Sequence, residues 1–200
     1  MAEKIYNIEK ISIEDAEKLK IDTKLWGYDE YSSDVSAKIV YDDEGFIIEF
    51  KVEESNPLIE NKEHFKPVNQ DSCVEWFVNF TPDDMDRYIN FEVNAGGYMN
   101  ASFRADRYDS VHLLEEEIQG LNIKANVFDT YWTVSFKVGF DFIKKYYSTF
   151  DIEKCHYVKG NLQKCGDNTE VYHLMSYFPI KCEKPDFHRP EYFEKLYVKH

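Results

Sequence analysis

The sequence predicts an all-β fold, an antiparallel β-sandwich of jelly-roll type with long loops and one or two short helices. Three observations lead there. Apolar and polar residues alternate over one short run after another, the period of a strand whose side chains leave opposite faces. Gly, Asp, Asn and Pro clusters separate these runs, and no long helical pattern comes between them, which excludes βαβ units. The 200 residues include fifteen Tyr, fifteen Phe and three Trp, residue types that favour the pleated, half-buried surface of a sheet. The length suits a single domain spanning residues 1–200, with 1–25 as an N-terminal edge segment.

Ala2–Ile11 alternates weakly and reads as a first edge strand. Ser12 followed by Asp15 has the form of a helix cap, so Ile13–Leu19 is expected to make two helical turns. Trp26, in KLWGYDEY, is expected in the core. Val35–Tyr41 and Phe46–Val52 alternate cleanly on either side of Asp42-Asp43-Glu44-Gly45 and form a hairpin. Glu53–Gln70 is a long connection carrying Pro57 and Pro67. Long ordered loops in a compact domain often carry function, and Phe65 stands where an exposed aromatic could close over a ligand.

The stretch Asp71–Arg104 organises the rest. In DSCVEWFVNF, Val74, Trp76 and Val78 share one face, and Cys73, Glu75, Phe77 and Asn79 the other. Both faces are rich in apolar residues, so this strand is interior. Ile89, Phe91 and Val93 then oppose Tyr88, Asn90, Glu92 and Asn94, and Met99, Ala101 and Phe103 oppose Asn100, Ser102 and Arg104. Gly96-Gly97 suits a tight turn, which makes these two strands antiparallel neighbours. One sheet face thereby collects amides, a carboxylate and a guanidinium, the groups that hydrogen-bond a polyhydroxylated ligand. A solvated Asn-rich face is the plainer alternative. Glu75 sits among apolar neighbours and needs a partner: Arg104, or a ligand hydroxyl.

Ala105–Asn126 is a polar insertion. Val127–Val138 contains the next strand, with Trp132 on its apolar face, and Phe140–Tyr147 is a helical turn or a strand end. Tyr157, Lys159, Asn161 and Gln163 share a polar strand face; His173–Phe178 leads into a closing strand containing Leu196 and Val198.

A formal net charge of −14 argues against nucleic acid and against anionic membranes. The N-terminus has no apolar signal-like core, so the chain is expected to be cytoplasmic, or secreted and lacking its signal peptide. None of Cys73, Cys155, Cys165 and Cys182 stands in a CxxC pair; free thiols and no zinc are expected, and no cofactor. Asp83, Asp84 and Asp86 offer the oxygen ligands a structural calcium ion takes, although a solvated acidic turn is the better account of them. No GxSxG, P-loop, GxGxxG or HExxH pattern is present. Glu75 and Glu92 could be imagined as the two carboxylates of a small glycoside hydrolase, and a protein-interaction sandwich without a ligand site is a third reading.

The runs DSCVEWF, YINFEVNAGG, NLQKCGD and PDFHRPEYF, in this order, resemble carbohydrate-binding family 9-like domains, which are related to DOMON-type β-sandwiches. The resemblance spans about Trp26 to Val198. It implies non-catalytic binding of a mono- or oligosaccharide, with two aromatics sandwiching a terminal sugar, alone or beside polysaccharide-degrading enzymes. Carried onto this chain, the ligand-binding set is Phe65, Glu75, Asn90, Glu92, Asn94, Arg104, Asn161 and Tyr177. The chain departs from the family's pattern where Leu162 follows Asn161 in place of an aromatic, and neither expected aromatic place holds a Trp. PDFHRPEYF itself is expected to anchor the tail through Phe187, His188 and Arg189.

Overall fold

The computed structural model describes residues 4–200. Its strands are β1 (Asn7–Ile8), β2 (Leu19–Lys20), β3 (Thr23–Lys24), β4 (Val35–Tyr41), β5 (Gly45–Val52), β6 (Cys73–Asn79) and β7 (Tyr88–Asn94). They continue with β8 (Met99–Arg104), β9 (Ser110–His112), β10 (Lys124–Val127), β11 (Trp132–Gly139), β12 (Tyr157–Gly166), β13 (His173–Ser176) and β14 (Glu194–Val198). Two short helices interrupt them, α1 (Glu115–Gly120) and α2 (Phe140–Tyr146). Residues 2 and 3 of the expected first strand lie outside the described residues.

The strands form the two sheets of a sandwich. One runs β1-β14-β12-β6-β7-β8-β9, with β13 pairing β12 and β3; the other runs β10-β11-β5-β4-β2. Pairing is antiparallel except for β1 with β14 and an isolated Glu9–Val40 bridge, among the described residues. The expected hairpins form with the expected register: Tyr41 lies opposite Phe46, and Asn90 opposite Ser102.

The alternation explains the core. Val74, Trp76 and Val78 on β6, with Phe91 on β7, face Ile48 and Phe50 of β5 and Val134 and Phe136 of β11. All are 2 % exposed or less. Trp76 sits at the centre, stacked on Phe91 at 5.9 Å and edge-on to Phe80 at 5.7 Å. Gly160 on β12 lies against β6 so closely that a methyl group would run into the Phe77 carbonyl oxygen. Gly160→Ala is therefore expected to cost about 1–3 kcal/mol, read as a lowered midpoint in denaturant, because backbone rather than a mobile side chain must move.

One expectation is corrected. Ile13–Leu19 makes a single turn, closed by Asp15 N–H to Ser12 O at 3.2 Å, because Leu19 is recruited into β2 opposite Ala37. The polar insertion 105–126 supplies β9 and α1 and the start of β10. Phe140–Tyr146 resolves as helix, not strand end. No helix among the described residues is long and apolar enough to cross a membrane.

The outer face of the larger sheet is where the fold departs from a simple sandwich. An outer face normally meets water, yet every residue of β6 and β7 is buried. A second, smaller apolar cluster covers it, in which Leu25, Ile180, Phe187 and Phe193 pack against Phe77 and Tyr88. The covering segments are 25–28 and 180–193, and the incomplete seal between them leaves a cavity.

Candidate functional site

The cavity has a volume of about 310 Å3 and is open to solvent. Its floor is the outer face of β6, β7, β8 and β12, presenting Glu75, Glu92, Asn100, Arg104 and Cys165. Asn69, Arg107 and Asp167 line its rim, and Trp26, Tyr172, Leu174 and the stretch Pro185–His188 line its walls. Register explains the floor: Glu75 lies opposite Glu92, and Glu92 opposite Asn100, so one row of cross-strand positions points three polar side chains the same way.

Glu92 is held on both oxygens. Asn90 Nδ2 donates to its Oε1 at 2.7 Å and Asn100 Nδ2 to its Oε2 at 3.1 Å. Burial raises its pKa, and the Asn100 bond and the Arg104 charge oppose that rise. Arg104 donates from Nε to Asn90 Oδ1 at 2.6 Å and from Nη1 to the Arg107 carbonyl at 3.0 Å. The expected Glu75–Arg104 pair does not form, since Asn90 on the intervening strand takes the guanidinium.

Glu75 is 3 % exposed and unusually poorly satisfied. Cys165 Sγ donates to its Oε1 at 3.2 Å, and its Oε2 has no partner. Burial, together with the neighbouring Cys165 and Glu92, holds its pKa well above the ordinary carboxylate value. A raised carboxyl pKa stabilises the fold while the group is protonated. That stability is full below the unfolded value near 4.5 and is lost as pH rises through the higher folded value. The difference in melting temperature between Glu75→Gln and the wild-type chain should accordingly grow in favour of the variant as pH rises above about 4.5, in parallel melts across pH. A pH-independent difference would contradict the buried, protonated Glu75.

The walls carry the aromatics. Trp26 adopts a positive φ of 54° before Gly27, and its Nε1 donates to the Cys182 carbonyl at 2.9 Å. Its ring packs on Phe187 with centroids 5.8 Å apart. Tyr172 meets Tyr28 edge-on at 4.5 Å and keeps 38 % of its surface exposed. His188 stacks on Phe77 at 4.8 Å, and its Nδ1 lies 2.9 Å from the Tyr88 hydroxyl. Burial and the charges of Arg104 and Arg107 lower the His188 pKa to about 3, so it faces the cavity as a neutral ring.

Of the residues expected to bind ligand, Glu75, Glu92 and Arg104 line the cavity. Asn90 stands behind them, joining Glu92 to Arg104. Asn94 and Asn161 lie elsewhere, and their amides are consumed largely by backbone. Asn94 accepts from Gly96 and Tyr98 N–H and donates to Asn61 O and Asp71. Asn161 accepts from Leu162 and Phe178 N–H and donates to Phe178 O. Phe65 and Tyr177 pack on the inter-sheet core, away from the cavity; Phe65 meets His112 edge-on at 5.6 Å, and Tyr177 is 6 % exposed. The aromatics that line the cavity are instead Trp26, Tyr172 and Phe187, and Trp26 both packs on the second apolar cluster, as expected of a core or packing residue, and faces the cavity. A Trp directly before Gly in a loop is the signal that could have found it. In the closing PDFHRPEYF, Phe187 and His188 hold the tail against the sheet and form a cavity wall, whereas Arg189 pairs with Glu191 of its own segment.

Comparison with known proteins decides the family. The model of carbohydrate-binding family 9 matches residues 7–198. The chain belongs to this family. Among curated protein sequences none matches significantly. Among solved structures, a protein from Bacteroides uniformis ATCC 8492, provisionally described as carbohydrate-binding, is similar at 22 % identity and a TM-score of 0.78, covering 98 % of this chain and 97 % of that one. Family 9 modules from Caldicellulosiruptor kristjanssonii are similar at 11 % identity. The module in complex with glucose has a TM-score of 0.69 and covers 98 % of this chain and 96 % of that one. The one in complex with cellotriose has a TM-score of 0.70 and covers 98 % and 94 %. At such identities these likenesses establish the shared sandwich fold.

Proposed function

We propose that this family 9 domain binds the end of a saccharide in the cavity, without acting on it. The observation that carries the reading is the set of polar atoms on the floor left without protein partners. Glu75 Oε2 and Asn100 Oδ1 are buried and unpaired, and the same cavity is lined by Arg104, whose Nη2 makes no hydrogen bond among the described residues. Leaving a buried polar group unpaired costs about 1–3 kcal/mol, and a sugar, whose hydroxyls both donate and accept, relieves that cost on binding. Trp26 and Tyr172 supply the apolar faces that the C–H side of a pyranose needs. A volume of about 310 Å3 suits one or two rings rather than a long chain, and the family 9 modules in complex with glucose and cellotriose support that ligand class.

Binding is favoured over hydrolysis by the register. Glycoside hydrolysis places two carboxyl groups on either side of the scissile bond. Glu75 and Glu92 stand side by side on adjacent strands of one wall, and the oxygens of Glu92 are occupied by Asn90 and Asn100. The test is a thermal-shift panel of glucose, cellobiose and cellotriose, each also with its end chemically reduced. Ligand at a hundred times its Kd should raise stability by about 2.7 kcal/mol. A shift with free ends that is lost on reduction is the expected result. A flat panel at millimolar sugar would overturn the reading.

A further inference from the structure

Beneath the saccharide cavity lies a cluster that sugar recognition does not use as a whole. Cys73 on β6 and Cys165 on β12 are directly opposed across the strand pair, and Glu75 is two residues along from Cys73 on the same face. Cys73 is 0 %, Cys165 1 % and Glu75 3 % exposed, and none of the four cysteines is in a disulfide. The two Sγ atoms and a carboxylate oxygen of Glu75 all lie within 4.8 Å of one another. Cys165 and Glu75 also line the cavity, which gives the cluster a path to solvent.

We propose that Cys73, Cys165 and Glu75 form a binding site for a thiophilic divalent cation of the zinc type. Two sulfurs and one oxygen are a ligand set that tetrahedral zinc takes, at about 2.3 Å to sulfur and about 2.0–2.2 Å to oxygen. Those bond lengths put ligand atoms roughly 3.5–3.8 Å apart, which the cluster reaches by small side-chain rotations. Glu75 Oε2 is buried and left with no protein partner, an acceptor that a cation takes up here as a sugar hydroxyl does in the saccharide reading. Its other oxygen is already 3.2 Å from Cys165 Sγ. Thiols select this class of ion over calcium or magnesium, which prefer all-oxygen shells. Three protein ligands leave a fourth position, and two of the three, Cys165 and Glu75, line the cavity.

The charges balance acceptably. Coordination releases the proton of each thiol, and that of Glu75 where it is protonated, to solvent. Two thiolates and a carboxylate then neutralise the cation with one negative charge in excess. Lys164, on the residue adjoining Cys165, favours both thiolates while it is protonated, and its own burial lowers its pKa. Without an ion the burial of Cys73 pushes its thiol up to about 11, so both thiols remain protonated near neutral pH and proton release accompanies binding.

The experiment is a titration of the full chain, reduced and freed of metal by chelator, with Cd2+ alone, followed by the thiolate-to-cadmium charge-transfer absorption. No sugar is present, so the outcome is independent of the saccharide proposal. The expected result is a saturable band at one equivalent, displaced by Zn2+. Cys155→Ala and Cys182→Ala should leave it unchanged, Cys73→Ser and Cys165→Ser should abolish it, and Glu75→Gln should require at least about tenfold more Cd2+. No saturable band in the wild-type chain, or a band that survives Cys73→Ser or follows Cys182, overturns the site. If the serine variants fail to fold, X-ray absorption of the zinc-loaded wild-type chain decides it. Two sulfur neighbours at about 2.3 Å support the site, and a shell of nitrogen and oxygen only refutes it.

Discussion

Arg104→Ala should weaken saccharide binding by roughly tenfold to more than a hundredfold while the domain stays folded. The side chain is 8 % exposed, so its charge acts across a floor largely shielded from water. Its Nε and Nη1 are fixed by Asn90 and the Arg107 carbonyl, which leaves Nη2 aimed by the protein rather than free to reorient. Hydrogen bonds to a charged, pre-oriented donor contribute about 1.5–3 kcal/mol, a loss of roughly tenfold to more than a hundredfold in affinity. The substitution also strips Asn90 Oδ1 of its donor and removes a positive charge beside Glu92. Glu92 should then titrate higher, and its acceptor strength at neutral pH should fall with it. Calorimetric titration alongside a circular-dichroism melt separates the two consequences: the expected result is weakened binding with a folded spectrum. Unchanged affinity in the folded variant would remove Arg104 from the site.

The largest effect on stability is expected at Trp76. It is fully buried between the sheets, packed on Phe80, Phe91 and Phe136 at centroid distances of 5.7, 5.9 and 6.4 Å. Trp76→Ala removes the indole and leaves a cavity that these rings cannot collapse to fill, because each is held by its own strand or turn. The cost should be about 3–5 kcal/mol, a large fraction of the roughly 5–15 kcal/mol that holds a domain folded. Trp76→Phe should cost much less than its volume loss suggests. The indole Nε1 is buried without an acceptor, and the phenyl ring does away with that unpaired donor. Denaturant midpoints of the two variants test the pair; equal losses would mean that Nε1 is satisfied in solution.

The fold is legible in the sequence because its signals are local. Alternation in Val35–Tyr41, Phe46–Val52, Tyr88–Asn94 and Met99–Arg104 assigns faces, and the Asp42–Gly45 and Ala95–Tyr98 turns assign neighbours. The same alternation, read from the residues alone, puts Glu75, Glu92 and Arg104 on one face. It cannot say what lies above that face. Asn94 and Asn161 share its chemistry yet serve backbone, because loop 53–70 and the Ser176–Phe178 turn reach over to use them. Whether an amide is free or spent depends on segments far away in sequence.

The aromatics are misplaced by the sequence for a related reason. Phe65 and Tyr177 occupy irregular stretches without periodicity, so nothing in the chain distinguishes an exposed ring from one folded inward. Trp26 and Tyr172 line the same cavity only because β3 pairs with β13, a pairing between strands of two and four residues that carries almost no sequence signal. His188 reaches the floor through the long return of 180–193 over the sheet, in a motif whose prolines advertise rigidity but not its destination. The thiol pair Cys73–Cys165 likewise depends on the β6–β12 register, which links residues from opposite halves of the chain.

The measurement that bears most directly on the central claim is a crystal of the domain soaked with cellotriose. The account predicts electron density for a terminal sugar ring between Trp26 and Tyr172, with its hydroxyls within hydrogen-bond distance of Glu75, Glu92, Asn100 and Arg104. Density beside Phe65 or Tyr177 instead, or an empty cavity in crystals of a protein that binds cellotriose in solution, would contradict it.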